Sequence, residues 1–283
     1  MGYTRSPLRY PGGKSRLAPF IRALMQENDL IGAAYVEPFA GAAGVAWALL
    51  FDGFTSHVYL NDIDPAIYAF WHCVLYQTSD FCALIKKTRV SMTTWRRSRS
   101  VLASPEAHSI LQLGFATFFL NRTNRSGVIR GGVIGGKDQA GAWRLNARYN
   151  KVDLLNRIRR IAAFRDKVSI YNMDAAQFIP RVLPSITSKA LVYIDPPYMH
   201  RGQDLYWDTY QPADHARLAH QVMKAITHPW IVSYDNVPAT RRLYQDRRLR
   251  AYSLSYSAAD RDLGSEIMVF SPDLRIPRSG LPS

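Results

Sequence analysis

The densest chemistry in the sequence lies in Leu191-Val192-Tyr193-Ile194-Asp195-Pro196-Pro197-Tyr198. A run with buried-strand character meets a carboxylate, two prolines and an aromatic ring. Neither proline has an N–H to give to a sheet, so the strand must stop at Asp195. The acid then sits at the carboxyl end of its strand, where open α/β sheets bind ligands. The prolines fix the path of the following atoms, and Tyr198 offers a flat face beside the acid. A rigid acceptor next to a stacking surface suits a planar ligand that carries an amino group. An ordinary strand end with a Pro-Pro turn is the plain alternative.

Two more acids share this placement. His57-Val58-Tyr59-Leu60-Asn61-Asp62 and Val168-Ser169-Ile170-Tyr171-Asn172-Met173-Asp174 each read as a strand that ends in a carboxylate. Asp62 lies 21 residues after Gly41, close to the spacing of about 20 at which an acid meets ribose hydroxyls. Asp64, followed by Pro65, reads instead as a helix cap. None of these acids has a His or Cys at ligand spacing; three carboxylates could hold a metal, but nothing else in the sequence supports one. A glycosidase-type acid pair is the other chemistry open to them.

The elements that must position these groups alternate. Ala33 to Glu37 reads as a strand, followed by Pro38-Phe39-Ala40-Gly41-Ala42-Ala43-Gly44 and a helix over Val45 to Leu50. This strand, small-residue loop and helix unit opens nucleotide-type sites, although its glycine spacing is not that of a dinucleotide cradle. Upstream, Pro11-Gly12-Gly13-Lys14 precedes a helix expected over Ser15 to Met25. It lacks the glycine of a phosphate loop. After Val168 the alternation resumes, with short helices from Ala175 and Thr240, and a third over Asp214 to Ile226 capped by Asp214. A strand runs from Trp230 to Asn236. Arg250–Tyr256 and Glu266–Phe270 read as a closing antiparallel pair, and Ile276 onward as a loose tail. The fold expected is a doubly wound, mostly parallel α/β sheet.

Thr78 to Arg165 breaks this rhythm. It contains helices expected over Phe81–Val90, Leu111–Leu120 and Leu154–Phe164, and a basic patch at Trp95-Arg96-Arg97-Ser98-Arg99. The run Asn121-Arg122-Thr123-Asn124-Arg125 leads into a glycine-rich loop with Arg130 and Lys137. Formal charge is +14, and its location decides its meaning. Asp80 to Arg165 holds 17 Lys and Arg against 4 acids, whereas the rest holds 19 against 18. Such segregation calls for a polyanion, with nucleic acid favoured, and argues against a neutral sugar. Asn121, Arg122, Asn124, Arg125, Arg130 and Lys137 are the residues expected to touch it. No apolar run reaches the roughly 18–20 residues of a membrane span. Cys73 and Cys82 lack a motif and suit a reducing cytoplasm.

Taken together, Gly12-Gly13-Lys14, Val36-Glu37-Pro38-Phe39-Ala40-Gly41, Asn61-Asp62-Ile63-Asp64 and Asp195-Pro196-Pro197-Tyr198 resemble the Dam-type (D12 class) DNA adenine N6-methyltransferases in motif and order, from about residue 5 to 270. Tyr10 stands where many relatives have Trp, and Ala43 interrupts a GxG that relatives often have. The resemblance implies a Rossmann-like catalytic domain over 1–77 and 166–275, a mainly helical DNA-recognition insertion over 78–165 and a tail over 276–283. It implies S-adenosylmethionine as cosubstrate without metal. Tyr10 and Lys14 are then near its methionine part, Glu37, Phe39 and Gly41 at the loop beneath it, Asp62 at the ribose, Asp174 near its adenine and Asp195 beside the methyl. Asp195, Pro196 and Tyr198 become the catalytic set. Double-stranded DNA is the expected partner of a cytoplasmic monomer or weak dimer. An RNA or other amino-group methyltransferase, or a silent DNA-binding protein, are the alternatives.

Overall fold

The computed structural model describes residues 5–9, 14–199, 210–255 and 263–282. Tyr10, Gly12 and Gly13 lie outside the described residues. Among the described residues seven strands are seen: β1 (Ala34–Glu37), β2 (Val58–Asn61), β3 (Val168–Tyr171), β4 (Ala190–Ile194), β5 (Trp230–Asp235), β6 (Arg248–Ser255) and β7 (Leu263–Phe270). Among the described residues the α-helices are α1 (Ala18–Glu27), α2 (Gly44–Phe51), α3 (Pro65–Tyr76), α4 (Thr78–Lys87), α5 (Met92–Ala103), α6 (Ile110–Thr123), α7 (Lys151–Ala162), α8 (Ala175–Val182), α9 (Pro212–Ala225) and α10 (Pro238–Leu243). The chain divides into two compact units. The first comprises Met1–Tyr3, Gly12–Ile63 and Lys167–Ser283, and the second comprises Thr4–Pro11 and Asp64–Asp166.

In the first unit all seven strands form one sheet in the order β3-β2-β1-β4-β5-β7-β6. The first five are parallel, and β7 runs antiparallel between β5 and β6. β1, β4 and β5 are buried along their whole length, as strands covered on both faces must be. The chain builds outward through β1, β2 and β3, then returns to lay β4 against the other side of β1. Strand order therefore reverses at β1 and β4, and their carboxyl ends open the crevice where such sheets take ligands. The fold expected from sequence, a mostly parallel α/β sheet with a closing antiparallel pair, is the one observed.

Local differences have local causes. Asp214 does not cap α9: Gln211 is the cap, and Asp214 accepts from the Gln211 N–H at 2.9 Å in a reciprocal capping box. The tail after Ile276 is anchored, because the Ser253 N–H donates to the Pro282 carbonyl and Arg250 donates to that of Pro277. In the second unit α6 continues to Thr123 past the expected end at Leu120. The buried Thr123 hydroxyl donates to the Phe119 carbonyl at 2.7 Å, so this polar residue does not break the helix. The basic patch at Trp95 folds as the helix α5, which the sequence pattern does not signal. α3 and α6 pack closely at Gly114, where a β-carbon would meet the Cys73 sulfur at 2.6 Å. Cys73 and Cys82 are buried free thiols. No helix among the described residues is long and apolar enough to cross a membrane.

Candidate active site

Asp195 directly follows β4, and its carboxylate is gripped from several strands. The β4–β5 register, with Ile194 opposite Val232, carries Ser233 alongside it. The Ser233 hydroxyl donates to Asp195 Oδ1 at 2.6 Å, and Ser233 Oγ lies 2.9 Å from the Tyr193 hydroxyl. Lys14 Nζ lies 3.2 Å from the same Asp195 oxygen and 2.6 Å from Glu266 Oε2, and it also donates to the Tyr198 hydroxyl. Tyr252 completes the group by donating its hydroxyl to Glu266. Side-chain exposure falls from 22% at Asp195 through 16% at Lys14 to 1% at Glu266, so the network runs from the ligand edge into the core. Pro196, Pro197 and Tyr198 are buried, and the Lys14 ammonium sits 4.9 Å from the centre of the Tyr198 ring.

Burial raises the pKa of Asp195; Lys14 opposes this and Glu266 reinforces it. Glu37, at the end of β1 and 4% exposed, is pushed up to about 8, first by burial and then by the charge of Asp195. It is therefore largely a neutral acid at pH 7.

The opposite part of the sheet edge is held by hydrogen bonds to backbone. Gly41 (φ 46°) and Ala43 (φ 49°) both adopt the left-handed conformation, which turns the chain from β1 into α2. The Gly41 N–H donates to Asp62 Oδ2 at 2.9 Å. Asn61 is fully buried and ties three strand ends together: its amide donates to the carbonyls of Pro38 and Met173 and accepts from the Met173 N–H at 3.0 Å. Asp64 caps α3, as expected. Asp174 lies beyond β3, with one oxygen capping α8 through the Ala176 N–H at 2.7 Å. Phe39 packs edge-on to Tyr210 with centroids 6.0 Å apart. The first unit thus brings Lys14, Glu37 and Asp195 together, and sets Asp62 beside Gly41. This donor set suits a nucleoside with a cationic centre: a carboxylate for hydroxyls, aromatic faces, and acids in excess around Asp195. Among the described residues no group of His, Cys, Asp or Glu could hold a metal ion.

In the second unit the expected DNA contacts separate into two kinds. Asn121 and Asn124 do not face a ligand; both are 0% exposed. The Asn121 amide accepts from the Arg9 N–H at 2.7 Å and donates to the carbonyls of Arg9 and Gly127. Asn124 accepts from the Trp95 indole and donates to the carbonyls of Val128 and Ile129. A buried amide at a helix end must satisfy its own donors and acceptor, and here it does so with backbone and indole. Arg130 pairs with Asp64 at 2.8 Å, and Arg122 donates to the Arg148 carbonyl. Arg125 and Lys137 are exposed, as are Arg96 and Arg97 on α5. Trp143 is 69% exposed in the same basic loop, with the Arg148 guanidinium 5.9 Å from its ring, and belongs to no motif of the sequence. Sequence reasoning also misses Ser233, Tyr252 and Glu266. Each is a polar residue beside or inside a buried strand, which is the one signal the sequence offers for it.

The fold and its edge define a class: an α/β enzyme fold that gathers acids and an aromatic at the carboxyl ends of its parallel strands. The family model described as D12 class N6 adenine-specific DNA methyltransferase matches residues 10–259, and the chain belongs to that family. By that membership it is a methyltransferase. No curated protein matches the chain. Solved structures similar to it include one from Pyrococcus horikoshii described as a "putative RNA methyltransferase". It is 11% identical over 93% of this chain and 84% of that one, with a TM-score of 0.40. A conserved hypothetical protein of Streptococcus pyogenes is 10% identical over 86% of this chain and 88% of that one, with a TM-score of 0.34. A protein of Legionella pneumophila is 11% identical over 92% and 85%, also with a TM-score of 0.34.

Proposed function

We propose that this chain transfers the methyl group of S-adenosylmethionine to N6 of an adenine flipped out of duplex DNA at a specific site. The observation that carries the reading is the Asp195 carboxylate, fixed by Ser233 at 2.6 Å where strand order reverses, with Pro196 and Tyr198 directly after it.

A paired adenine cannot bring its amino group to a sheet edge, so it must leave the stack at a cost of a few kcal/mol. Asp195 and the Pro196 carbonyl accept the two N6 hydrogens. That draws the nitrogen lone pair out of ring conjugation and aims it along one direction. The raised basicity of Asp195 makes it the stronger acceptor. Tyr198 stacks on the base, and a base on the face now under Lys14 displaces that ammonium toward Glu266. Lys14, Glu37, Phe39, Gly41, Asp62 and Asp174 hold the cosubstrate, with Asp62 at ribose hydroxyls; Tyr10 and Asp195 complete the set. When bound, S-adenosylmethionine supplies a methyl group on a sulfonium, whose loss leaves a neutral thioether. The chain contributes position and electrostatics. Exposed Arg125, Lys137, Arg96 and Arg97 hold the duplex.

Replacing Asp195 by alanine is expected to lower methyl transfer at least about a hundredfold while duplex binding persists. Digesting the product to nucleosides and finding N6-methyladenosine from RNA, or no methylated adenine, would overturn the reading.

A further inference from the structure

Arg9 stands in the opening run that leads to Gly12-Gly13-Lys14 and takes no part in the methyl-transfer set. One side chain holds its backbone from both sides. The Asn121 amide accepts from the Arg9 N–H and donates to the Arg9 carbonyl, each at 2.7 Å. Asn121 is buried near the end of α6, so Arg9 is fixed against that helix end, and Arg122 is the next residue along α6.

These anchors bring guanidinium groups together. Arg122 Nε donates to the Arg148 carbonyl at 2.8 Å, and the Arg148 guanidinium lies 5.9 Å from the centre of the Trp143 ring. Burial lowers the pKa of Arg9, and the charge of Arg148 lowers it further. Arg122 is lowered to about 10, first by burial and then by Arg9 and Arg157, with Asp153 opposing. Both remain cations at pH 7, because a guanidinium keeps its proton. Asp153 is shared, since Arg157 holds it at 2.8 Å. The Arg9 Nη1 atom is buried and has no hydrogen-bond acceptor among the described residues. A buried donor without an acceptor costs stability, and like charges held close add to that cost. An anion between these arginines removes both costs, and the guanidinium fork matches the oxygens of a phosphate. All of these residues belong to the second unit, which carries most of the excess positive charge.

We propose that Arg9, Arg122 and Arg148 form a clamp that takes one backbone phosphate of the duplex. The inference rests on the reading of the substrate as duplex DNA. It adds a half-buried position for the backbone, assembled from three separate segments, to the exposed charges of Arg96, Arg97, Arg125 and Lys137.

The test compares the whole wild-type chain with Arg9→Met and Arg9→Lys. Methionine keeps an unbranched stem and removes the charge, and the backbone bonds to Asn121 do not depend on the side chain. In filter binding of duplex DNA across a salt series, Arg9→Met should lower affinity about tenfold. It should also reduce the slope of log affinity against log salt by about 0.9. Arg9→Lys should keep the slope and lose part of the affinity, because an ammonium keeps the charge but not the fork. Without DNA, Arg9→Met should melt about 2 °C or more above wild type, because the unpaired buried donor is gone. A residue that served only the fold would shift melting the other way. If the wild-type chain binds duplex DNA and Arg9→Met keeps its affinity and slope, or melts lower, the inference about the clamp falls alone. If the wild-type chain binds no duplex, the substrate reading falls and takes the inference with it.

Discussion

Glu37 is the residue at which this fold works against its own ionisation. Its carboxyl is raised from 4.5 to about 8 by burial, reinforced by Asp195. The folded state therefore holds the proton more tightly than the unfolded chain does. For this group, stability is full below about pH 4.5 and is lost as pH rises toward 8. Glu37→Gln keeps a neutral side chain of the same shape. Its stability relative to wild type should grow by about 1.4 kcal/mol per pH unit across that window and then level off. Urea unfolding at stepped pH checks this, and a constant difference would contradict it. Asp195 shifts in the same direction, so methyl transfer should lose its ionised acceptor at a higher pH than an ordinary aspartate would. Asp195 could be read from its neighbours in the chain, since two prolines mark where a strand must end. Ser233, Tyr252 and Glu266 could not. Their roles come from the pairing of β4 with β5 and of β7 with β5 and β6, which joins residues tens of positions apart.

At the scale of elements, α6 and the loop that follows it divide buried polar groups from exposed ones. Asn121 and Asn124 resemble base readers because amides next to arginines often are. Yet the same amides suit the end of a buried helix, and burial decides between the two uses. Asn121→Ala should destabilise the second unit by about 1–3 kcal/mol, because backbone groups of Arg9 and Gly127 are left without a buried partner. It should do so without altering the salt dependence of duplex binding by the folded protein. Arg125→Ala or Lys137→Ala should leave thermal stability near wild type. Where the side chain holds a phosphate, its removal should lower the slope of log affinity against log salt by about 0.9. Filter binding across a salt series separates the two outcomes. α5 escapes a sequence reading because its face carries Trp95 and three arginines rather than an apolar stripe. Besides the burial of Val101 and Leu102, it is held by the Trp95 indole on Asn124 and the Arg99 guanidinium on the Arg130 carbonyl, pairings that no local pattern announces.

For the whole molecule, the segregation of charge was legible in full, and so was the parallel α/β order, because both are written in long stretches of composition and periodicity. The reversal of strand order at β1 and β4 was not written locally; it follows from β4 passing back across β3 and β2 to pair with the free side of β1. Two binding tasks with different electrostatics should respond differently to ionic strength. Duplex affinity should fall steeply as salt rises from about 50 to 200 mM, by a factor of about 10³ or more if six or more phosphates are held. Affinity for S-adenosylmethionine, held by a few partly buried groups, should change several-fold at most. A parallel titration of both ligands measures this directly.

The membership of Thr4–Pro11 in the second unit bears on how that unit could be transplanted between relatives. A transplant of Asp64–Asp166 alone would part Asn121 from the Arg9 peptide to which it is hydrogen-bonded, and Arg157 from the Ser6 carbonyl. A working chimera between two such enzymes therefore needs two junctions at the amino end as well as two around the long segment. The short leading piece must travel with the unit it belongs to.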